Sequence, residues 1–501
     1  MNNKFMTMKY LKYYSIAILL FFSILKAESQ VTKVLTFDEV IKLSEEQSPQ
    51  ALMAKHRFRA SYWQNRSFQA NYLPLLTLRG TTPDLSNSYD RVWSSADDGY
   101  VYRASNTIEN IGTLSLSQNI GLTGGNISLQ SELKQLYDFE KERRQFTTIP
   151  LSIAISQPIF GYNSLKWDKK IEPLRYERAK KNFLSDIESV HTQATRNFFS
   201  LALAQMNKQI ADMNLANADT LYGIAKGRYN LGTIAENELL QMQLSWLNAE
   251  TSKKEAEMNL RDREIRLRSF LGFNDNIRLE LVLPTEVPNL QVDAQEVFDL
   301  AMQNNPDIIT QQMNILSAES AVARARANRI LNNATLNASF GLRAQDIDFS
   351  NAYNNTSQQQ RVRVGLTMPI LDWGQRRGNY RMAQSSLELA QVQSNQAITD
   401  FQQSLFLDVE LFNLQSSQVA TAALSDTVAT RMYEVTKQRF LIGRDDVLTL
   451  NNADTRKDTN RRAYVQALQR YWEYYFNMRS LTLYDFINRR PLDTDYDKLI
   501  D

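Results

Sequence analysis

Two short motifs carry side chains suited to recognition rather than reaction. Arg228-Tyr229-Asn230-Leu231-Gly232 and Arg439-Phe440-Leu441-Ile442-Gly443 each set an arginine four residues before a glycine. A guanidinium there can cap the carbonyls that end a helix, or bond to the backbone of a partner. The glycine leaves the backbone bare for close approach. Reaction chemistry is poorly supplied. The 501 residues include no cysteine and two histidines, His56 and His191. This excludes thiol catalysis, disulfides and cysteine metal sites, and a histidine site would have to join two distant positions. No nucleophile with its base, phosphate loop or metal-ligand spacing occurs. The carboxylates lie in long helical patterns, where a solvated face is the ordinary state. The sequence predicts a protein that is not an enzyme and uses no cofactor or metal.

The elements that position the two motifs repeat. They lie 211 positions apart, and the same offset relates Tyr222 to Tyr433, Pro158 to Pro369 and Arg268-Ser269 to Arg479-Ser480. A repeat of this length points to a duplicated architecture. No proline falls between Pro173 and Pro284 or between Pro369 and Pro491, and both windows are rich in helix formers. Each reads as a long antiparallel helical hairpin turning at its glycine. Pro173 should start or kink the long helix of the first half. A second repeat, offset by 257, matches Thr36-Phe37-Asp38-Glu39 to Asp293-Ala294-Gln295-Glu296, and Ser48-Pro49 to Asn305-Pro306. These are capping-box and proline-first signatures of helix starts.

Between the helical parts the period changes to two. Val362, Val364, Leu366 and Met368 alternate with polar residues or glycine, as do Leu336, Ala338, Phe340 and Leu342, and Leu151, Ile153 and Ile155. Strict alternation predicts strands with one apolar face. That suits a soluble sandwich or a membrane barrel, and so few strands close a wide barrel only if several chains share it. The stretch from Thr81 to about Thr148 has no counterpart in the second half. It is expected to form extra strands or a long outer loop, with a hairpin turn at Gly124-Gly125. Its Tyr89, Trp93, Tyr100 and Tyr102 suit either an interfacial belt or an ordinary loop cluster.

The N-terminus carries Lys4, Lys9 and Lys12, then an apolar run from Tyr14 to Leu25, then Ala27-Glu28-Ser29. This is the order of a secretory signal peptide, and the run is too short to span a bilayer as a helix. Cleavage after Ser29 removes four lysines and one glutamate, taking the formal charge from +2 to −1. A nearly neutral chain argues against nucleic acid as a partner. The expected organisation is a signal peptide at 1–29 and a first structural repeat at 30–284, with helices at 36–72 and 162–271 and strands and an outer loop within 75–158. A second repeat follows at 285–486, with helices at 293–330 and 374–484 and strands within 334–369, and then a C-terminal tail at 487–501.

In their order and duplication, Ser48-Pro49, Asn305-Pro306, Ser156-Gln157-Pro158-Ile159-Phe160, Met368-Pro369-Ile370-Leu371 and the two Arg-x-x-x-Gly turns resemble the TolC-type outer-membrane efflux proteins, the outer membrane factors. Gly232-Thr233-Ile234-Ala235-Glu236-Asn237-Glu238-Leu239-Leu240 also looks like that family's tip, and the likeness covers about residues 35–486. The resemblance implies a mainly α fold with a membrane β part. It implies a homotrimer whose long helical hairpins form an α-barrel, continuous with a shared twelve-stranded β-barrel to which each chain gives four strands. It implies the outer membrane of a Gram-negative bacterium, with lipid around the strands and the helices in the periplasm. It also implies docking of the tips at Arg228, Gly232, Arg439 and Gly443 to a periplasmic adaptor (membrane fusion) protein, itself bound to an inner-membrane pump or ABC transporter. The function implied is a passive export channel of a tripartite efflux or type I secretion system. The alternative is a soluble periplasmic helical scaffold or adaptor.

One departure bears on the entrance. The family's best-known member has acidic residues six and nine positions after the second tip glycine, where this chain has Thr449 and Asn452. Glu238, Asp445 and Asp446 remain as candidates for an entrance constriction, because a carboxylate ring in a trimer would repel itself and bind cations.

Overall fold

The computed structural model describes residues 32–159, 161–273, 277–284, 287–330, 332–442, 444–445 and 447–500. The expected signal peptide, Gly443 and Asp446 lie outside the described residues.

The chain opens with a short strand, β1 (Thr32–Thr36), and two helices, α1 (Phe37–Gln47) and α2 (Pro49–Ala70). Thr36 and Glu39 form the reciprocal capping box, and Ser48 accepts from the Ala51 amide with Pro49 in the first turn. Four strands follow: β2 (Leu75–Ser94), β3 (Gly99–Ile120), β4 (Gly125–Asp138) and β5 (Arg143–Pro158). The first hairpin is α3 (Ser164–Asn230) with α4 (Glu236–Phe270). After β6 (Arg278–Val282) the plan repeats with α5 (Ala294–Asn304), α6 (Pro306–Ile330), β7 (Asn332–Asp346), the short α7 (Phe349–Asn354) and β8 (Ser357–Thr367). The second hairpin is α8 (Gln375–Leu441) with α9 (Val447–Thr482). Strands β9 (Tyr484–Asp485) and β10 (Arg490–Pro491) and helix α10 (Tyr496–Ile500) end the chain.

Helices α3 and α8 each have 67 residues, roughly 100 Å of helix, and their ends differ by the same 211 positions as the tip motifs. Shorter helices stack beside them: α2 and α4 pack along α3, and α6 and α9 along α8. Helix α9 also packs on α3, so the four helices of the lower half run in the spatial order α4–α3–α9–α8. Pro173 neither starts nor ends α3, which begins at Ser164 and continues through it. Ile171 and Leu174, on either side of the proline, are clamped against Ile309 and Met313 of α6. Tertiary packing there overrides the missing amide proton.

The two halves meet in a core rich in aromatic rings. Phe37, Phe198, Phe199, Phe412, Tyr471, Tyr475 and Phe476 are buried together, with Trp472 against them. Strand β1 pairs in parallel with β6 beside this core, so the start of the chain is tied to the link between the repeats. The C-terminal tail is held too: Tyr496 packs on Phe58, and Arg59 Nε donates to the Leu499 carbonyl.

The six long strands form one antiparallel sheet in the order β2-β3-β4-β5-β7-β8. This is two strands more than the four per chain that the resemblance implied. The difference lies in the 81–148 stretch. Its chain turns at 121–124, with Gly124 at φ +74°, and returns in register, so the extra hairpin joins the sheet instead of lying over it as a loop. Strands β2 and β3 continue together beyond the end of β4 as a projecting ribbon.

Candidate functional site

Directly opposed residues in an antiparallel ladder share a face, so the pairings trace both surfaces of the sheet. One rung runs Leu76, Leu116, Leu129, Ile153, Phe340 and ends at Gln360, and the next runs Gln118, Ile127, Ile155, Ala338, Val362. Offset by one residue, the other face reads Asn119, Asn126, Ser156, Asn337, Arg363, and Ser117, Ser128, Ala154, Ser339, Arg361. The apolar residues are exposed across the sheet, with Leu78 at 79% and Val364 at 65%. The polar face is the concave one and lines an open hollow of about 280 Å³ between Asn126, Ser128, Asn337 and the two arginines. A convex apolar face over a concave polar face is what a barrel wall between lipid and water requires. Among the described residues no helix is long and apolar enough to cross a membrane.

Aromatic rings sit near both ends of the apolar band. Tyr137 and Phe139 meet edge-on at 5.0 Å, and Phe349 of α7 lies against Phe146 at one end. Tyr72 and an exposed Trp373 lie at the helical end. Tyr89, Trp93, Tyr100 and Tyr102 are elsewhere, on the projecting β2–β3 ribbon. Tyr102 is roughly 40 Å along the strand from Leu114, beyond the ~25 Å height of a barrel's apolar band. These four rings therefore form a cluster outside it, in which Trp93 meets Tyr100 at 5.1 Å.

At the far end of the helices the two hairpin turns are built alike. The Gly232 amide donates to the Tyr229 carbonyl and the Thr233 amide to the Arg228 carbonyl, at 2.9 and 3.0 Å, with Gly232 at φ +70°. This is a Schellman ending, which needs the left-handed backbone that glycine adopts without strain. In the second turn the Arg444 amide donates to the Arg439 carbonyl at 2.9 Å, the same bond 211 positions on. The side chains differ. Arg439 Nε and Nη2 grip Asp445 through both carboxylate oxygens at 2.9 Å, leaving the Asp445 side chain 14% exposed. This pairing holds the Arg439 guanidinium above its usual pKa. The first turn has Ile234 where the second has Asp445, and Arg228 makes no ion pair among the described residues. Glu238 is exposed on the first turn of α4. Of the proposed entrance carboxylates, Asp445 is thus neutralised within its own turn and Glu238 is not.

Where the two hairpins meet α1, a cluster of ionisable groups is buried. Glu188 of α3, at 2% exposure, pairs with Arg479 of α9 at 2.7 Å. Arg479 also faces Asp485 at 3.6 Å, and Asp485 accepts from the Tyr475 hydroxyl and from three groups of residues 487–488. Burial pushes the Tyr475 hydroxyl far up. His191 lies one turn after Glu188, its Nδ1 3.4 Å from Glu188 and its Nε2 3.6 Å from Glu45 of α1. These are ion-pair contacts, too long and misaligned to be hydrogen bonds. Burial alone would lower the His191 pKa, but the two carboxylates outweigh it and leave it raised. Sequence periodicity gave no sign of this cluster, because its members lie on helices far apart in the chain.

The raised His191 pKa carries a sign. Stability from the imidazolium is complete below the unfolded value, about 6.5, and is lost as pH rises through the higher folded value. Thermal unfolding of the assembled protein is expected to move to lower temperature as pH is raised from about 6 to about 8. His191→Gln should remove this shift; an equal shift in both proteins would exclude His191 as its source.

The outer membrane efflux protein family matches this chain over residues 40–273 and 297–482. Solved structures with the same fold include the Campylobacter jejuni CmeC outer membrane channel, at 14% identity and a TM-score of 0.64 over 95% of this chain and 93% of that one. The outer membrane protein VceC from Vibrio cholerae has 14% identity and a TM-score of 0.60 over 91% and 97%. A membrane protein from Pseudomonas aeruginosa has 12% identity and a TM-score of 0.62 over 91% of each chain. Among curated protein sequences none matches this chain.

Proposed function

Because this chain belongs to the outer membrane efflux protein family, we propose that it is the passive conduit of a tripartite efflux or type I secretion system, working as a homotrimer. The sheet lies in the outer membrane and the helices reach into the periplasm. The first repeat is residues 30–284, the second is 285–486, and 1–29 directs export. The channel performs no chemistry; an inner-membrane pump or ABC transporter supplies the energy.

The observation that carries the trimer is that every layer of the chain has two open and complementary edges. In the helical layer these are α4 and α8. Exposed Leu240, Leu244 and Leu247 line α4 at spacings of four and three near the tip, and Val428, Met432 and Val435 line α8 likewise near its tip end. Such seams are the faces through which helices pack side by side. In the sheet the edges are β2 and β8. Strand β2 leaves the helices and β8 returns to them, so the two run antiparallel and each can complete the other's ladder in a neighbouring copy. Open edges do not persist in hydrocarbon, where each unmade backbone bond costs several kcal/mol. Three chains closed in this way give about eighteen strands, a number at which a barrel holds an aqueous channel.

The tips are the docking surface for a periplasmic adaptor. Arg228 and Gly232 form the more available tip, since Arg439 beside Gly443 is already engaged by Asp445. Glu238 is a stronger candidate for an entrance carboxylate than Asp445, which Arg439 already engages; Asp446 remains a candidate. A soluble scaffold is disfavoured by the exposed, predominantly apolar face of the sheet.

The chain lacks cysteine, so introduced thiols report contacts without background. With Leu78→Cys in β2 and Val364→Cys in β8, oxidation of outer membranes should give a ladder ending at a trimer, and neither single variant should. Arg228→Ala should weaken export while leaving this trimer intact. Recovery of the protein as a monomer in the soluble periplasmic fraction would sink the proposal.

A further inference from the structure

We infer that Arg361 and Arg363 make the lumen of this channel selective for anions, so that its cargo carries carboxylate or phosphate groups; this rests on the channel reading above. Both arginines lie on the concave polar face, opposite Ser339 and Asn337, at the height of the apolar band. Both are exposed, and among the described residues neither has an ion-pair or hydrogen-bond partner. Their rungs across β3, β4, β5 and β7 hold asparagine, serine and alanine and no charge.

The carboxylates that share this face are distant or engaged. Glu109 is paired with Lys134, and Glu132 bonds to Thr113 four residues further along β4 than the Arg361 rung. Glu132 is about 14 Å across three strands and about 13 Å along them from that rung, beyond the ~8 Å screening length of physiological salt. Closure of the barrel would add more cation than acid at this height. Strand β2, the open edge that would meet β8, has no carboxylate from Leu75 to Pro83 and adds Arg79 to the same face; its first carboxylate, Asp84, opposite Glu109, comes beyond the position that would face Arg361.

Two guanidiniums about 7 Å apart on one strand face repel each other, and no acidic partner among the described residues relieves them. A mobile anion does so. Arginine in a water-filled pore offers a planar fork that matches carboxylate and phosphate oxygens, and rings of arginine are a known device for anion passage. In a trimer the two positions repeat three times around one lumen, where low-dielectric walls concentrate the field.

The test is the reversal potential of the purified channel in a planar bilayer across a KCl gradient. Wild-type channels should prefer chloride. The Arg361→Gln/Arg363→Gln variant should lose that preference, and the Arg361→Lys/Arg363→Lys variant should keep it. Citrate and inorganic pyrophosphate, added in turn, separate the two anion classes: block of wild type by either, absent in the glutamine variant, supports the inference and names the class. Cation preference that survives Glu238→Gln at the helical entrance, or selectivity unchanged in the Arg361→Gln/Arg363→Gln variant, overturns the inference while leaving the channel standing. Block by neither anion overturns its cargo statement. A wild-type protein that gives no conductance overturns the channel reading itself.

Discussion

Ile153→Arg is expected to remove the assembled protein from the outer membrane, whereas Ala154→Arg, one residue later on the same strand, is expected to leave it there. Ile153 lies in the middle of the sheet, between Leu129 and Phe340 on the convex face. An arginine on the lipid face of a barrel costs about 2–4 kcal/mol at the bilayer midplane. The loss of the isoleucine adds the transfer energy of a buried aliphatic side chain, about 1.5–3 kcal/mol. Both costs recur in every chain of an oligomer, so the penalty exceeds what a marginally stable assembly withstands. Ala154 points to the other face, between Ser128 and Ser339, where an arginine meets water. The same charge on adjacent residues therefore separates the effect of the face from that of the charge. The measurement is the amount of heat-modifiable oligomer in outer-membrane fractions. Equal loss from both variants would mean that both faces meet the same medium and would exclude a barrel wall.

The periodicities behind that prediction were open to view in the sequence. Alternation at Val362, Val364 and Leu366 fixes a strand with one apolar face, because side chains alternate whatever the strand pairs with. The glycine turn was equally legible: Gly232 takes φ +70° for a local reason, the Schellman ending. Features that depend on distant partners were hidden. In the 81–148 stretch the sequence left extra strands and a long loop both open, with a hairpin turn at Gly124-Gly125; the strands form, and which neighbours they pair with depends on what lies beside them. The clamp of Asp445 on Arg439 separates two turns that otherwise repeat, and it shows only when the side chains meet. Pro173 does not start the long helix, which begins at Ser164 and runs through the proline where Ile171 and Leu174 pack on α6.

The buried pair of Glu188 and Arg479 is the most distant of these partnerships and leads to the second large expected effect. Arg479→Ala should lower the thermal unfolding midpoint of the assembled protein more than truncation of any surface arginine, such as Arg266. Glu188 would keep its burial and lose its cation, and breaking a buried pair from one side costs about 3–5 kcal/mol. An exposed pair such as Arg266 with Asp262 sits in solvent, where water and salt screen the attraction, and contributes little. Removing both charges should be far milder. In Arg479→Leu/Glu188→Leu neither group remains to be desolvated, and apolar replacement of a buried pair is often neutral or stabilising. Asp485 would survive the exchange, since the Tyr475 hydroxyl and the groups of Ile487 and Asn488 already hold it. Recovery in the double variant would identify the stranded carboxylate as the cause of the single variant's loss. Equal instability in both would mean instead that the arginine's packing against Tyr475 and Phe476, at 5.6 and 5.4 Å from the ring centres, matters more than its charge. Because Glu188 belongs to α3 and Arg479 to α9, the same comparison measures how tightly the first helical hairpin is fastened to the second.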